Sequence, residues 1–151
     1  GLENYTGTDR RFQYKGTFNG VTVIDDYAHH PTEVKATLAA AKNIDKKKLW
    51  CIFQPHTYSR TYNLLKEFAE AFDDADKIVV ADIYAAREKD TGLINSSVLV
   101  EEIKRRGKDA VYVGGFPAIK EYIKENCTEG DLLITMGAGD VYLIGEDLVK
   151  Q

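Results

Sequence analysis

The chain has 151 residues, of which 44% are hydrophobic and 29% charged, and its formal net charge is −4 at pH 7. This length and composition are typical of one globular domain and exclude a disordered chain. The negative charge, without a stripe of Lys and Arg, argues against a nucleic-acid partner. No apolar run approaches the roughly 18 residues that cross a membrane. We therefore expect a single domain over residues 1–151 that binds neither nucleic acid nor a membrane.

Short apolar runs alternate along the chain with segments of helical periodicity. Residues 1–9 are polar, 10–15 predict a short strand and 15–17 a turn. Further strands are predicted at 21–24, 49–53, 78–81, 110–113 and 132–135, and helices at 31–42, 61–72, 96–106, 117–125 and 141–149. Nearly continuous apolar strands between helices indicate a parallel sheet that is covered on both faces. We predict an α/β fold, a Rossmann-like three-layer αβα sandwich with about five parallel strands and an antiparallel edge strand.

The stretch 20–33, GVTVIDDYAHHPTE, concentrates reactive side chains between a strand and a helix. Its β-branched residues favour a strand, and Pro31 favours a helix start because its fixed φ suits a first turn. Two carboxylates, a phenol and two imidazoles lie between these elements. Any one of them could be a helix cap or a solvated loop residue. Their concentration at the carboxyl end of a strand, where α/β sheets bind ligands, predicts a functional site.

The segment QPHTYSRT, residues 54–61, follows the next predicted strand. Ser59 is the predicted helix cap, which places Arg60 in the first helical turn, where a cation opposes the helix dipole. The guanidinium of Arg60 therefore predicts a bidentate grip on a carboxylate or phosphate. The alternative is a surface arginine paired with an acid such as Asp82.

Two further loops follow strands. Residues 82–92, DIYAAREKDTG, form a long loop of the kind that is often functional. Residues 136–140, MGAGD, predict a turn that presents backbone amides to an anion. A dinucleotide fingerprint is rejected because the third glycine is missing, and no GxxxxGK[ST] motif occurs, so an ATP phosphate cradle would lie outside this chain.

A metal site and a disulfide are both disfavoured. The three histidines, His29, His30 and His56, show no His-x-x-x-His spacing and no cysteine pair accompanies them, so no metal is expected. Cys51 and Cys127 match no metal motif and are predicted to be reduced thiols, typical of a cytoplasmic protein.

Four stretches, RRFQ, DDYAHHPTE, FQPHTYSRT and TMGAGD, occur in the order found in the C-terminal domain of the Mur ligases, and DIYAARE fits as well. The chain resembles that domain over nearly its whole length. DDYAHHPTE together with FQPHTYSRT resembles most closely the alanine-adding branch of the family. The branch that recycles murein tripeptide is similar at the first motif and differs at the second.

Mur ligases are ATP-dependent amino-acid ligases of peptidoglycan synthesis, with a UDP-sugar domain, a central P-loop domain and a third domain that presents the amino acid. The resemblance implies that this chain is the third domain, that the other two domains are its partners, and that it is inactive alone. The implied substrates are L-alanine, UDP-N-acetylmuramate and ATP with Mg²⁺, the last bound mainly by the central domain. Other readings are another Mur ligase, a stand-alone nucleotide- or anion-binding module, and a metal-dependent hydrolase.

The resemblance also implies roles for individual residues. Arg11 would reach the terminal phosphate of ATP, Asp26 would hold the ribose, and Tyr27 would lie beside the adenine. His29 and His30 are the catalytic candidates, because they would line the alanine pocket or meet the attacking amine.

Other residues are expected to bind the carboxylate of the amino acid. The resemblance implies that His56 and Arg60 orient it. Several family members carry Arg where this chain has Thr57, so Arg60 acts with less help here or Arg87 substitutes. Backbone amides would cover the reacting centre at Gly137, Ala138 and Gly139.

Overall fold

The computed structural model describes residues 11–150, where helices cover both faces of one six-stranded sheet. The strands are β1 (Gln13–Phe18), β2 (Val21–Asp26), β3 (Leu49–Phe53), β4 (Lys77–Val80), β5 (Asp109–Val111) and β6 (Leu132–Met136). The helices are α1 (Pro31–Lys42), α2 (Tyr58–Asn63), α3 (Leu65–Ala69), α4 (Ser96–Arg105), α5 (Phe116–Asn126) and α6 (Tyr142–Val149). The sheet order is β1-β2-β6-β3-β4-β5, and β1 alone pairs antiparallel. The predicted sandwich, with five parallel strands and an antiparallel edge, is confirmed; the polar segment 1–9 and residue 10 lie outside the described residues.

Each face of the sheet has its own apolar cluster. Helices α1, α3 and α4 cover one face, and α5 and α6 cover the other. Helix α1 shows the pattern, because Val34, Leu38 and Ala41 recur at helical spacing and are fully buried. Burial of a leucine side chain stabilises a fold by about 1.5–3 kcal/mol. Leu38→Ala would also leave a cavity and would cost about 2–5 kcal/mol.

The last strand of the chain lies in the middle of the sheet. Strand β6 pairs with β2 on one side and with β3 on the other, and Met136 is in register with both Asp26 and Phe53. The loops after β2 and β3 lead to helices on one face, whereas the loop after β6 leads to α6 on the opposite face. Such a divergence creates a crevice at the carboxyl edge of the sheet. The loops after these three strands meet there.

The β1–β2 hairpin corrects the predicted turn at residues 15–17. Strand β1 continues through these residues, with a register shift between Tyr14 and Gly16. The turn instead consists of Asn19 and Gly20, whose φ angles are 47° and 79°. Two successive positive φ angles with the sequence Asn-Gly are the signature of a type I′ hairpin turn. The Asn-Gly pair is therefore the stronger turn signal, and the predicted position was wrong.

The helix predicted at residues 61–72 is two short helices, α2 and α3. Helix α2 begins earlier than predicted, and the break falls at Leu64, whose N–H still donates to the carbonyl of Arg60 at 3.0 Å. The cap is Thr57, whose Oγ1 accepts from the N–H of Arg60 at 3.3 Å. Ser59, the predicted cap, lies one residue inside the helix, so Arg60 is still in the first turn.

Both cysteines are free thiols, as predicted. Cys51 is buried in β3, and burial raises the pKa of its thiol far above the usual value. Burial also raises the pKa of Cys127 to about 12. Neither thiol is therefore ionised at neutral pH, which argues against a nucleophilic role. Among residues 11–150, no helix is long and apolar enough to cross a membrane.

Candidate functional site

Backbone hydrogen bonds join the loops after β3 and β4 into one unit. The N–H of Thr57 donates to the carbonyl of Tyr84, and the N–H of Tyr84 donates to the carbonyl of Pro55, both at 2.8 Å. These bonds extend the parallel pairing of β3 and β4 past the ends of the strands. The side chains of His56 and Tyr84 consequently lie together above the carboxyl edge of the sheet.

A row of four rings links the first motif to the second. The ring of Tyr27 lies edge-on to that of His29, with centroids 5.1 Å apart. His29 lies 5.7 Å from His56, which in turn stacks on Tyr84 at 5.6 Å. The ring of His30 is exposed and takes part in none of these contacts. Of the two histidines predicted as catalytic, the fold therefore places His29 in the row.

The orientation of His29 is fixed by its neighbours at the start of α1. Its Nδ1 lies 3.0 Å from the carbonyl oxygen of Tyr27, which accepts but cannot donate, so this nitrogen carries the proton. In a neutral ring Nε2 is then the acceptor. The carboxylate of Glu33 accepts from the backbone N–H groups of His29 and His30 at 3.2 and 3.1 Å. Glu33 thereby anchors the turn that carries both histidines.

His56 and Arg60 each hold a buried polar atom, Nδ1 and Nη1, for which residues 11–150 supply no hydrogen-bond partner. Burial lowers the pKa of His56, and the nearby charges of Arg60 and His29 lower it further. His56 is therefore a neutral imidazole at neutral pH. The guanidinium donor of Arg60 suits an anionic ligand such as a carboxylate.

The alternative pairing of Arg60 with Asp82 is not found. No ion pair of Arg60 with an acid occurs within the described part of the chain. Asp82 instead accepts a hydrogen bond from the hydroxyl of Tyr112 at 2.6 Å. An ion pair with Asp82 therefore does not explain the position of Arg60.

The glycines of the turn after β6 are required by close packing. Gly137 has a φ of 152°, and a Cβ there would lie 2.9 Å from the carbonyl oxygen of Gln54. At Gly139 a Cβ would lie 2.6 Å from Cδ2 of Tyr84. The N–H of Gly137 donates to the carbonyl of Asp26 at 3.2 Å, so this predicted amide donor is already engaged. Ala138 and Gly139 follow it, half-buried, at the mouth of the crevice.

The side chain of Gln54 fixes the same turn and was not among the predicted site residues. Its Nε2 donates to Oδ1 of Asp140 at 2.8 Å, and its Oε1 accepts from the N–H of Val141 at 3.2 Å. Gln54 is buried at the end of β3. A polar residue directly after five buried strand residues was the available signal, because a buried amide needs partners.

The residues predicted to bind nucleotide surround one pocket of about 220 Å³ beside the ring row. Asp26 is buried there, and its carboxylate accepts from the N–H groups of Phe12 and Ala28, both at 2.8 Å, and from Oγ1 of Thr37 at 3.3 Å. Burial raises the pKa of Asp26 despite these bonds. The lining residues are Arg11, Asp26, Tyr27, Ala28, Glu33, Ala36 and Thr37.

In the loop after β4, Arg87 is exposed, whereas Glu88 contacts the first turn of α2. None of the contacts found in residues 11–150 joins Arg87 to His56 or Arg60. Glu88 contacts the first turn of α2, where its carboxylate accepts from the N–H of Tyr58 at 2.7 Å. Glu88 was not predicted from sequence, because its partner lies 30 residues away.

Within the described residues, no group of three or more His, Cys, Asp or Glu side chains is arranged to hold a metal ion.

Residues 10–139 match the family model described as "Mur ligase, glutamate ligase domain". A UDP-N-acetylmuramate–L-alanine ligase from Lachnospira eligens is 60% identical over 150 residues, which are 99% of this chain and 33% of that protein. The crystal structure of the UDP-N-acetylmuramate-alanine ligase from Thermotoga maritima is similar with a TM-score of 0.75 and 30% identity, over 94% of this chain and 29% of that one. A murein peptide ligase from Psychrobacter arcticus gives a TM-score of 0.77 and 25% identity, over 99% and 31%.

This chain therefore spans about a third of the length of the curated relatives that it matches. The family match covers all three loops of the carboxyl edge, from the segment after β2 to the glycine turn. On this evidence the chain belongs to the Mur ligase family and is that family's C-terminal, glutamate ligase domain.

Proposed function

We propose that this chain, residues 1–151, is the amino-acid-presenting domain of a three-domain ligase that joins L-alanine to UDP-N-acetylmuramate with ATP in peptidoglycan synthesis. The observation that carries the proposal is the meeting of two motifs, in which His29 lies 5.7 Å from His56 and the Nη1 donor of Arg60 has no acceptor among residues 11–150. The names of two curated relatives that are 60% and 57% identical to this chain support alanine as the amino acid.

Alanine is a small zwitterion, so charge must supply most of its binding. Arg60 provides a charge-assisted hydrogen bond to the carboxylate. The ammonium group must lose a proton before it can attack, and a neutral imidazole can accept that proton. Nε2 of His29 is the acceptor that the hydrogen bond from Nδ1 to Tyr27 leaves available. The exposed ring of His30 lies outside the row and is less suited to this role.

The family reaction forms an acyl phosphate when ATP phosphorylates the lactyl carboxylate of UDP-N-acetylmuramate. The alanine nitrogen then bonds to the acyl carbon, and phosphate leaves from the tetrahedral intermediate. The residues of this chain hold the amine and its carboxylate in line for that attack, and their contribution is orientation and removal of the amine proton. Ala138 and Gly139 lie where they can cover the reacting centre from the side of β6.

In the complete ligase, ATP would contact both this chain and the central domain. Because the sequence contains no P-loop, the phosphates and Mg²⁺ belong mainly to the central domain. The pocket around Asp26 fits the other end of ATP: three of the roughly four acceptor positions of the carboxylate are filled, which leaves one for a ribose hydroxyl. Tyr27, which is 44% exposed, can lie beside the adenine, and Arg11 can approach the phosphates. Because ATP and UDP-sugars are cytoplasmic metabolites, we propose the cytoplasm as the location of the reaction.

A murein tripeptide ligase is the second candidate. The likeness to the Psychrobacter arcticus murein peptide ligase, with a TM-score of 0.77, favours it. The two candidates differ in the donor of the amine, which is free L-alanine in one case and the amino end of a tripeptide in the other. A tripeptide needs more room at the carboxylate side of the site than alanine does.

The test is substrate-dependent phosphate release by the complete ligase, expressed from the full reading frame that contains this chain. We expect release with ATP, UDP-N-acetylmuramate and L-alanine together, and none when alanine is replaced by the tripeptide. The reverse preference would establish the tripeptide ligase. Phosphate release that needs neither amine would contradict both ligase candidates. Micromolar ATP binding by the 151-residue chain alone would favour a stand-alone nucleotide-binding module.

A further inference from the structure

The carboxylate of Glu88 is bound to the start of helix α2. Its Oε1 accepts from the backbone N–H groups of Tyr58 and Ser59 at 2.7 and 3.1 Å, and its Oε2 accepts from Oγ of Ser59. The N–H groups of a first helical turn have no partner inside the helix, so Glu88 supplies acceptors that α2 itself cannot. Hydrogen bonds from Ser59 and Tyr58 hold the pKa of Glu88 below its usual value, so the acceptor is ionised at neutral pH.

Two residues beside this contact have an unusual backbone conformation. Thr57, immediately before Tyr58, has a φ of 66°, and Ala86, two residues before Glu88, has a φ of 55°. Residues with a Cβ seldom adopt positive φ, and they keep it only where the surrounding structure enforces it. The two strained residues lie on the two loops that Glu88 joins. The contacts of Glu88 are thus placed to enforce both conformations.

The strained residue Thr57 lies between the two side chains of the proposed carboxylate site. His56 precedes it and stacks on Tyr84. Arg60 follows it, and the N–H of Arg60 donates to Oγ1 of Thr57 at 3.3 Å. Relaxation of Thr57 toward an ordinary φ would therefore redirect the imidazole and the guanidinium relative to each other.

We propose that Glu88 is a positioning residue, which holds Thr57 in its strained conformation and thereby sets the arrangement of His56 and Arg60 for the amino-acid carboxylate. Glu88 acts through these residues and does not touch the substrate. The part that concerns the amino acid rests on the proposed function; the part that concerns the backbone of Thr57 does not.

The first test is a double-mutant cycle in thermal unfolding of the 151-residue chain. Glu88→Ala removes two acceptor oxygens, which together accept three hydrogen bonds, and should lower the Tm by about 2–4 °C, as expected for the loss of a helix cap in a chain of this size. Thr57→Gly removes the strain at positive φ. In the wild type, loss of these contacts also lets Thr57 relax, and the released strain offsets part of the cost. The Thr57→Gly background has no such strain to release, so Glu88→Ala should lower the Tm by more there than in the wild type. The matched control is Glu101→Ala on the exposed face of α4, where the carboxylate pairs with Lys104 at 3.6 Å. Equal losses from Glu88→Ala in the two backgrounds would overturn the inference.

The second test is steady-state kinetics of the complete ligase. If Glu88 only stabilised the fold, its loss would not change the KM of one substrate selectively. Glu88→Ala should raise the KM for the amino acid about tenfold and leave the KM for ATP within about twofold, because misplacement at the site affects only the ligand held there. Glu88→Gln should recover most of the affinity, since its amide oxygen can still accept from Tyr58 and Ser59. Equal changes in both KM values, or an unchanged KM for the amino acid, would overturn the inference. If the wild-type enzyme does not use L-alanine, the proposed function fails, while the thermal cycle still decides whether Glu88 holds Thr57.

Discussion

The imidazole of His56 lies nearly parallel to the ring of Tyr84, with centroids 5.6 Å apart and planes inclined by 20°. The backbone bond from the N–H of Thr57 to the carbonyl of Tyr84 fixes the two loops that carry these rings. The ring of Tyr84 also packs on Gly139, where a Cβ would come within 2.6 Å of it. One aromatic ring therefore touches both the loop with the imidazole and the glycine turn in the centre of the sheet. The shape of the site depends on that ring.

This packing predicts that Gly139→Ala destabilises the chain. The added Cβ would lie 2.6 Å from both Oε1 of Gln54 and Cδ2 of Tyr84, so one of the loops must move. We expect a loss of about 1–3 kcal/mol in the free energy of unfolding, measured with urea. Because two of the three nearest atoms belong to Tyr84, the loss should shrink in a Tyr84→Ala background.

Gly115→Ala is the matched control, because a Cβ at this helix cap would meet only Cδ of Pro117, at 3.8 Å, and the φ of −76° suits alanine. Its unfolding free energy should stay within about 0.5 kcal/mol of the wild-type value. Similar losses for the two glycine variants would show that the contact between Gly139 and Tyr84 is easily accommodated.

The apolar runs were enough to predict the layers of the fold, because each buried strand and each helical face has its own local period. The position of β6 between β2 and β3 has no such local signal, since strand order depends on long-range pairing. The meeting of His29 with His56 could nevertheless be predicted, because both follow strands whose carboxyl ends face the same edge. By contrast, the roles of Gln54 and Glu88 rest on partners that are distant in sequence. An ordinary polar loop residue reveals such a partner only in the folded chain.

Arg60→Ala in the complete ligase is predicted to raise the KM for L-alanine far more than that for ATP. Loss of a charge-assisted contact should cost about 1.5–3 kcal/mol, which is about ten- to 150-fold in the specificity constant for alanine. Arg60→Lys should recover only part of this, because an ammonium group cannot reproduce the bidentate fork. Steady-state kinetics with each of the three substrates varied in turn will measure the effect.

The matched control is Arg105→Ala, since Arg105 lies exposed on α4 and pairs with Glu102. It should leave all three KM values unchanged. An unchanged KM for alanine in Arg60→Ala would remove Arg60 from the site and would assign the carboxylate to Arg87 or to the amides of Ala138 and Gly139.

The titration of His56 gives a prediction in pH. Burial is the main cause of its lowered pKa, and the charge of Arg60 is the next, so the midpoint should lie below 6.5. The folded state binds this proton less readily than the unfolded state. The contribution of neutral His56 to the free energy of unfolding is therefore complete above pH 6.5 and is lost as the pH falls through the folded pKa. NMR titration of ¹³C-labelled histidine should show the low midpoint. Arg60→Ala should raise it without bringing it to 6.5, and Arg105→Ala should not move it. A wild-type midpoint at or above 6.5 would contradict the half-buried position of this ring near the charge of Arg60.

The isolated chain is predicted to fold but not to ligate, and to bind ATP weakly. Two complete apolar clusters cover the sheet, so thermal unfolding of the 151-residue chain should be cooperative. The sequence lacks a phosphate cradle, so no phosphate should be released from ATP in the presence of alanine and UDP-N-acetylmuramate. The pocket around Asp26 offers contacts mainly to the nucleoside end, and Arg11 is the cation in its lining that can approach the phosphates. We therefore expect a Kd on the order of 1 mM or weaker, equivalent to about −4 kcal/mol.

Titration calorimetry with ATP, and with adenosine as the ligand that lacks phosphates, will measure this binding. If the pocket holds the nucleoside, the two ligands should bind with similar affinity, and Asp26→Asn should weaken both because the amide presents one acceptor oxygen where the carboxylate presents two. Lys77→Ala, on the far side of the sheet where Lys77 pairs with Asp109, is the control and should leave both affinities unchanged. Micromolar ATP binding that adenosine does not share would instead show that the chain holds phosphates by itself, and turnover by the chain alone would refute its assignment as one domain of a larger ligase.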